Sequence, residues 1–275
     1  MKVLSRIYTT LIFIFLYAPI VILIIFSFNS SKSRSVWGGF TLEWYSRLFQ
    51  DETILNALKN TLIVSVVAAI FATIIGTLAA IGIDAMNKRL KKIIMTLTNI
   101  PMVNPEIVTG VSLLLLYSIV FGILSKFGLD VSLGLVTLIL SHITFNIPYV
   151  ILSVLPKLRQ MNKHIYEAAI DLGCNPFQAF MKVVIPEIRP GIMTGMLMAF
   201  TLSIDDFIIS YFTSGPTSQT LSVLIYSMTR RQISPKINAL SALMFVTVLS
   251  LLLIVNIRQI REENKAKNSK SIVKL

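Results

Sequence analysis

The chain has 275 residues, of which 55% are hydrophobic and 14% are charged, and its mean hydropathy is +0.77. This composition excludes a soluble globular domain and predicts a polytopic membrane protein. In a soluble protein the net charge of +12 would suggest nucleic-acid binding. Here the excess of Lys and Arg that cytoplasmic loops carry explains it, so no nucleic-acid partner is expected. The single cysteine, Cys174, excludes an internal disulfide.

Six stretches are long and apolar enough to cross a bilayer as helices, which needs roughly 20 residues. The predicted spans are 8–28, 61–83, 93–121, 133–155, 191–212 and 238–257. The first apolar run is too long for a signal peptide, which indicates an uncleaved helix. Pro101 and Pro105 interrupt the third, which is tolerated where neighbouring helices or a water-filled cavity accommodate the freed backbone groups. The fold class is therefore all-α, with one transmembrane domain over residues 1–260.

The basic residues are distributed unevenly between the loops. If both termini are inside, the cytoplasmic segments hold most of the 25 Lys and Arg residues. This bias predicts a multi-pass protein with cytoplasmic N- and C-termini. Segment 261–275 is predicted to be a disordered basic tail close to anionic lipid headgroups.

The long outside segment, about 29–60, contains the sequence FTLEWYSRLFQDE and is rich in aromatic residues. Trp37, Trp44 and Tyr45 all lie within it. Two interpretations are open: the rings anchor the segment at the membrane interface, or they form a docking surface for an extracellular partner.

Three acidic residues lie inside the predicted spans. Asp205 is about 15 residues into the fifth span, which places it roughly 22 Å from the cytoplasmic side. Glu106 is about 14 residues into the third span, which gives roughly 21 Å as an upper limit because prolines interrupt that helix. An intramembrane carboxylate is costly and normally faces a water-filled cavity or a partner. Adjacent residues of a helix point about 100° apart, so only one of Asp205 and Asp206 is expected to face the passage. Such a passage suits a cation, to which Tyr117, Phe207 and Tyr211 could offer aromatic faces.

Segment 157–190 carries cap signals for two short helices separated by a tight turn. The cap residues are Asn162 and Gly173 for the first helix, and Asn175, Pro176 and Gln178 for the second. Each helix has an apolar stripe at i, i+3, i+4, i+7 spacing, formed by Ile165, Ala168, Ala169 and Leu172 and by Phe177, Phe180, Met181 and Val184. The stripes either pack on the membrane domain itself or enter a groove on a cytosolic partner.

The same segment resembles the coupling loop of bacterial ABC-importer permeases, whose pattern is E-A-A-x3-G-x9-I-x-L-P. The matching residues are Glu167, Ala168, Ala169, Gly173 and Pro186, with Val183 and Ile185 as conservative departures. The resemblance covers nearly the whole chain and implies a six-helix type I importer half with a MetI-like fold. It also implies that these five residues couple the permease to an ATPase subunit.

The resemblance implies a division of labour between subunits. The chain has no G-x-x-x-x-G-K-[ST] motif with which to hold nucleotide phosphates, so ATP and Mg are expected on a partner ATPase and no cofactor is expected here. We therefore expect a permease subunit without an enzymatic site. Its implied partners are a homologous second permease, a cytosolic ATPase dimer, an extracellular substrate-binding protein and the lipid bilayer. His142 and His164 are isolated in the sequence, and no metal site is expected.

Four further stretches, PEIVTGVSLL, LSIDDFIIS, SGPTSQTL and IYSMTRR, resemble the second permease subunit of spermidine/putrescine importers. This resemblance implies a bacterial plasma-membrane permease for polyamines. The residues it assigns to the substrate pathway are Glu106, Asp205, Asp206, Ser203 and Trp44. Two alternatives are open: an ABC permease for another cation such as ferric ion, and an ion-coupled secondary carrier in which Asp205 and Glu106 relay protons.

Overall fold

The structure is a computed structural model that describes residues 2–31, 36–231 and 235–272, and the regular elements in these ranges are helical. The helices are α1 (Lys2–Phe26), α2 (Glu43–Phe49), α3 (Glu52–Ala85), α4 (Lys88–Val103), α5 (Glu106–Lys126), α6 (Leu135–Gln160), α7 (Lys163–Asp171), α8 (Pro176–Ala179), α9 (Ile185–Asp205), α10 (Ile208–Thr213), α11 (Leu221–Arg231) and α12 (Pro235–Ile272). A π-helical turn, Phe180–Val184, joins α8 to α9. The predicted all-α class is confirmed.

Within the described residues, five helical runs are long and apolar enough to cross a membrane. They are Ser5–Phe26, Glu52–Ala85, Glu106–Lys126, Leu135–Gln160 and Pro176–Asp205. The predicted sixth span lies in α12, whose apolar stretch Pro235–Ser250 is shorter than these five. Helix α12 then continues to Ile272, so the prediction of a disordered tail is wrong for most of that segment. The Lys, Glu, Arg and Ala residues of the segment explain this, because they are good helix formers.

The predicted third span, 93–121, is wrong in its bounds. Asn104 adopts an extended conformation (φ −71°, ψ 142°) and separates α4 from α5. The physical reason is Pro105, because a residue before proline disfavours helical geometry and proline itself has no N–H to donate. Only α5 qualifies as a span. In α4 the apolar residues Leu90, Ile93 and Leu97 follow helical spacing beside a basic first turn.

The structure divides into two compact units, the first comprising Met1–Asn56 and Leu224–Leu275 and the second Ala57–Val223. In the first unit, α12 packs against α1 and α2. The buried Asn29 organises the loop before α2: its amide donates to Val36 O at 2.8 Å, and its Oδ1 accepts the Gly38 N–H at 2.8 Å. Asp51 forms an ion pair with Lys236 of α12.

In the second unit, the main packing is between α6 and α9. Small residues recur every four positions along the buried face of α9 as Gly191, Gly195, Ala199 and Ser203. A Cβ on Gly191 would lie only 2.8 Å from Ser153 O of α6, so only glycine allows this close approach. Ala72, Gly76 and Ala80 form a similar stripe on α3: both alanines are fully buried, and a Cβ on Gly76 would lie 2.7 Å from Val150. Such contacts are typical of membrane helices.

Candidate functional site

The fifth membrane helix ends at Asp205, in the middle of the stretch LSIDDFIIS. Asp206 leaves the helix with φ −61° and ψ 126°, and the short helix α10 begins two residues later. The Asp206 carboxylate turns forward to accept the backbone N–H groups of Ile209 at 3.2 Å and Ser210 at 2.7 Å. It therefore satisfies two backbone donors in the first turn of α10, which have no partner within the helix itself. The prediction of one continuous helix over 191–212 is wrong at this point.

The break separates the environments of the two aspartates. Asp206 is buried, whereas Asp205 is exposed on the surface of this unit. The cause of this difference is an interrupted helix rather than the expected 100° offset between neighbours in a continuous one. That only one of the two faces a passage stays a prediction.

A ladder of polar contacts joins α6 to the region around the break. Thr137 Oγ1 donates to Thr213 O at 2.9 Å, His142 Nε2 lies 3.1 Å from Ser210 Oγ, and Asn146 Nδ2 donates to Ser203 Oγ at 2.7 Å. The three pairs follow one another in antiparallel order, so the ladder continues the packing of α6 against α9 and α10. Thr137, His142 and Asn146 are all buried. Buried polar groups of this kind stabilise a unique arrangement when they are paired.

Helix α5 brings a third carboxylate to the same place. Glu106 is the first residue of α5 and is exposed, and one turn later a Cβ on Gly110 would lie 2.8 Å from the Phe212 ring of α10. The start of α5 is therefore packed against α10. Glu106 is within electrostatic range of both Asp205 and Asp206. Glu106 was predicted about 14 residues into the third span and instead begins α5, but acids from two helices do lie near one another, as expected.

The two exposed carboxylates have no countercharge in the part of the chain that the structure describes. Neither Asp205 nor Glu106 forms a side-chain hydrogen bond or an ion pair there. Uncompensated acids in membrane-spanning helices are costly and normally face a water-filled cavity or a partner. The arrangement is therefore suited to binding a cation.

Aromatic rings lie beside these acids. Tyr149 of α6 is half-buried and within electrostatic range of Glu106. Tyr211 is 54% exposed, and its ring centroid lies 5.6 Å from that of Phe207, which directly follows Asp206. Such ring faces attract ammonium groups. Tyr117 has a different role, because its hydroxyl lies 2.9 Å from Ser141 Oγ and 3.1 Å from Thr137 O.

Two other residues predicted for the pathway are buried. Ser203 is 2% exposed and accepts the Asn146 amide, as described above. Trp44 belongs to the first unit, where it is 5% exposed, donates to Asn29 O at 2.8 Å and lies beneath the guanidinium of Arg47. Substrate contact by Ser203 or Trp44 stays a prediction.

Two residues of the site were not predicted from the sequence, His142 and Asn146. They are spaced i, i+4 within an apolar span, so both lie on one face of α6. This spacing was a usable signal, because polar side chains in a membrane span normally face the protein interior. His142 was interpreted as an isolated residue, since its partners Asp206 and Ser210 are more than sixty positions away in the chain.

The first predicted helix of segment 157–190 is confirmed with its caps. Asn162 Oδ1 accepts the His164 N–H at 3.1 Å at the start of α7. At the other end, the Gly173 N–H donates to Ile170 O and the Cys174 N–H donates to Ala169 O, which is a Schellman motif. Gly173 has φ +88°, a conformation that favours glycine.

The second predicted helix begins as expected but does not end where expected. Asn175 and Gln178 form a reciprocal capping box, with hydrogen bonds of 2.8 Å and 3.3 Å. The chain then passes through the π-turn directly into α9, so the prediction of a separate short helix is wrong. In the π-turn the Ile185 N–H donates to Phe180 O, and Pro186 falls in the first turn of α9, where it needs no N–H.

The apolar stripes divide between the inside and the surface. Phe180 and Val184 pack into the core around α6. Ile165, Leu172, Phe177 and Met181 stay exposed, Leu172 by 87% and Phe177 by 72%. Glu167 and Ala168 lie on the exposed side of α7, and Glu167 Oε2 is 3.0 Å from His164 Nδ1. We call Ile165, Leu172, Phe177 and Met181 the coupling patch. An exposed apolar cluster of this kind marks an interaction surface.

Residues 72–260 match the family described as the binding-protein-dependent transport system inner membrane component. The putrescine transport system permease protein PotI of Escherichia coli (strain K12) is 39% identical over 237 residues, which are 86% of this chain and 83% of PotI. The spermidine/putrescine transport system permease protein PotC of the same strain is 36% identical over 267 residues, or 97% of each chain.

The fold agrees with this result. A crystal structure of a bacterial ABC transporter involved in the import of the acidic polysaccharide alginate superposes with a TM-score of 0.76 at 22% identity, over 94% of this chain and 95% of that chain. The chain therefore belongs to the family of inner membrane components of binding-protein-dependent transport systems, as a homologue of the ABC-importer permeases PotI and PotC.

Proposed function

We propose that this chain is the transmembrane permease subunit of an ATP-driven importer for polyamines. The observation that carries the proposal is the pair of exposed carboxylates, Asp205 and Glu106, which have no countercharge among the described residues and lie beside the anchored Asp206. The names of PotI and PotC support the same substrate class, since those relatives transport putrescine and spermidine.

The chemistry of the site matches an organic polycation. Two carboxylates from different helices, α5 and α9, provide separated anionic groups for ammonium groups along one flexible chain. Tyr149 and Tyr211 add ring faces, which bind ammonium groups by cation–π attraction. Asp206 adds a third acidic group beside the two exposed carboxylates. It also positions Asp205, because both Asp206 oxygens accept backbone N–H groups of α10. Uptake measurements that include ferric ion test the ferric-ion alternative directly.

Coupling to ATP hydrolysis is proposed to use the exposed side of segment 157–190. Leu172 and Phe177 flank the Gly173 turn, and full burial of two such side chains in a groove contributes about 1.5–3 kcal/mol each. Glu167, Ala168, Ala169 and Pro186 complete the proposed coupling region. ATP and Mg are proposed to bind to the partner ATPase rather than to this chain.

One helical run links the coupling patch to the acid site. Pro176–Asp205 is 30 residues long, which corresponds to roughly 45 Å at 1.5 Å per residue. Phe177 lies at one end of this run and Asp205 at the other. Movement imposed on the patch by an ATPase would therefore reach Asp205 along the same helix. An ion-coupled carrier needs no such element, and membership of an ABC-importer family does not support that alternative.

The remaining partners follow from this assignment. We propose a homologous second permease, a dimer of cytosolic ATPase subunits and an extracellular binding protein, with both termini of this chain in the cytoplasm of a bacterial cell. The loop before α2 is proposed as a contact for the binding protein. It is held in shape by Asn29, while Trp37 and Phe40 are 50% and 69% exposed.

The test is uptake by the complex purified with its native partners and reconstituted in liposomes. Uptake of labelled putrescine, spermidine, ferric ion and a basic amino acid is measured with and without ATP and the binding protein. The proposal predicts ATP-dependent uptake of the polyamines only. Uptake of ferric ion or of the amino acid in preference to polyamines would refute the substrate class, and uptake without ATP would refute the ABC mechanism.

A further inference from the structure

A buried histidine stands behind the acid site. His142 is fully buried in the second unit, and its Nε2 atom lies 3.5 Å from Asp206 Oδ2 and 3.1 Å from Ser210 Oγ. Because its side chain has no exposed surface, His142 is not placed to touch a substrate. It nevertheless contacts Asp206, which follows α9, and Ser210 in the first turn of α10.

Asp206 Oδ2 is the atom at which these contacts meet. It accepts the Ser210 N–H at 2.7 Å and lies next to the His142 ring, while Oδ1 accepts the Ile209 N–H. The carboxylate is thus hydrogen-bonded to α10 on one side and in contact with His142 of α6 on the other. A carboxylate fixed in this way cannot rotate toward the neighbouring Asp205 and Glu106.

This anchoring decides how many acids the site presents. Three carboxylates, Glu106, Asp205 and Asp206, lie within electrostatic range of one another, but Asp206 is withdrawn and only two are exposed. The same anchoring stops α9 at Asp205, since Asp206 can reach the N–H groups of α10 only from its extended conformation. The exposed position of Asp205 therefore depends on the place of Asp206.

We infer that His142 is a positioning residue of the cation site: its Nε2 atom holds Asp206 at the start of α10, which keeps the helix break in place and projects Asp205 next to Glu106. The inference rests on the proposed function for its link to transport. The geometric part stands independently, because the exposure of position 205 can be measured without any substrate.

The experiment uses the complete transporter complex and two readouts. In a Cys174→Ser background, Asp205→Cys is labelled with a small cationic thiol reagent, and the labelling rate reports the exposure of position 205. In the native background, KM and maximal rate of polyamine uptake are measured separately. Each readout is taken with His142→Leu and with the conservative variant His142→Gln, whose side-chain amide can take the place of the Nε2 atom. Thr144→Ala, on an exposed face of the same helix, is the matched control.

His142→Leu removes a contact to a charged group. It should therefore slow labelling at position 205 by roughly 10-fold or more and raise the KM for polyamine uptake by a similar factor. His142→Gln should restore both values to within about threefold of the parent, and Thr144→Ala should not differ from it. If His142→Leu prevents assembly, His142→Phe keeps the ring volume without the nitrogen and takes its place.

Unchanged labelling and unchanged KM in the apolar variants would overturn the inference. Equal defects in the Gln variant and the apolar variants would also overturn it, because the ring would then act by packing alone. If the parent complex moves no polyamine at all, the proposed function fails, whereas the labelling rates still decide whether His142 positions residue 205.

Discussion

Asp205 and Asp206 are neighbours in the chain, but Asp205 ends a membrane helix and is exposed whereas Asp206 is buried and caps the next helix. The two carboxylates therefore have different physical roles. One is available to a cation, and the other is committed to two backbone N–H groups of α10. This difference makes substitutions at the two positions distinguishable by experiment.

Substitution of Asp206 is expected to affect stability. Asp206→Ala leaves the N–H groups of Ile209 and Ser210 without their acceptor, and an unsatisfied buried donor costs about 1–3 kcal/mol. The melting temperature of the purified complex should fall, and Asp206→Asn should lower it less because one acceptor oxygen remains. Asp205→Asn is the matched control and should melt like the parent. Equal melting temperatures for all three variants would contradict the assigned capping role.

Substitution of Gly173 is expected to impair coupling while leaving the protein in the membrane. A side chain at φ +88° is strained by roughly 1–2 kcal/mol even though no atom lies within 4 Å of the added Cβ. Gly173→Ala should therefore disturb the α7 turn and reduce ATP-driven uptake, and Glu167→Ala should act in the same direction. Gly122→Ala, which also meets open space but has ordinary helical geometry, should transport normally. Wild-type rates in both loop variants would remove the coupling assignment.

Cys174 tests the orientation of the chain. It follows Gly173 in the turn after α7 and is partly exposed. A membrane-impermeant thiol reagent should label it in inside-out vesicles but not in intact cells, and binding of the ATPase subunits should slow the reaction. Because this is the only cysteine in the sequence, Cys174→Ser supplies an unlabelled control. Labelling from outside intact cells would contradict the cytoplasmic location of the segment.

The ion pair of Asp51 with Lys236 predicts a pH-dependent contribution to stability. The hydrogen bond from Lys236 holds the pKa of Asp51 below its ordinary value of 3.8. A lowered folded-state pKa means that the stabilisation is present above the ordinary value and is lost as the pH falls through the lowered one. Asp51→Asn should cost about 0.5–1 kcal/mol at neutral pH, because the pair is partly exposed, while asparagine can still cap α3.

The measurement is the difference in melting temperature between the parent and Asp51→Asn at pH 7 and in acid. The difference should shrink as the pH falls below the ordinary pKa of Asp51 and then through its lowered pKa in the folded protein. Glu43→Gln is the control, because the Glu43–Arg47 pair is more than half exposed and contributes little. A difference that stays the same at both pH values would show that the charge of Asp51 does not stabilise the first unit.

Local signals in the sequence predicted local structure well. The caps at Asn162, Gly173 and Asn175 each depend only on residues a few positions away in the chain. All three caps are confirmed. The break after Asp205 was not predictable in the same way. It depends on the Asp206 carboxylate, which accepts backbone N–H groups of α10. It also depends on His142, which lies on another helix far away in the chain.

The errors at the two prolines have local causes that the sequence signalled incompletely. Pro105 ends α4 although the apolar pattern continues through it, and hydropathy alone does not register a missing N–H. The second helix of segment 157–190, predicted to be short and separate, instead continues through the π-turn into α9, and Pro186 lies in the first turn of α9. Hydropathy thus located the membrane-crossing regions, whereas backbone hydrogen bonding decided where the helices end.

The most direct test of the central claim is the uptake of polyamines by Asp205→Asn over a range of concentrations in the reconstituted complex. The substitution keeps the side-chain volume and removes the charge, and loss of a contact to a charged group corresponds to roughly a 10- to 100-fold decrease in uptake efficiency. Glu106→Gln should act in the same direction, with assembly and ATPase binding intact in both variants. If both variants instead transport polyamines at parental rates throughout that range, Asp205 and Glu106 do not bind the substrate, and the proposed cation passage is contradicted.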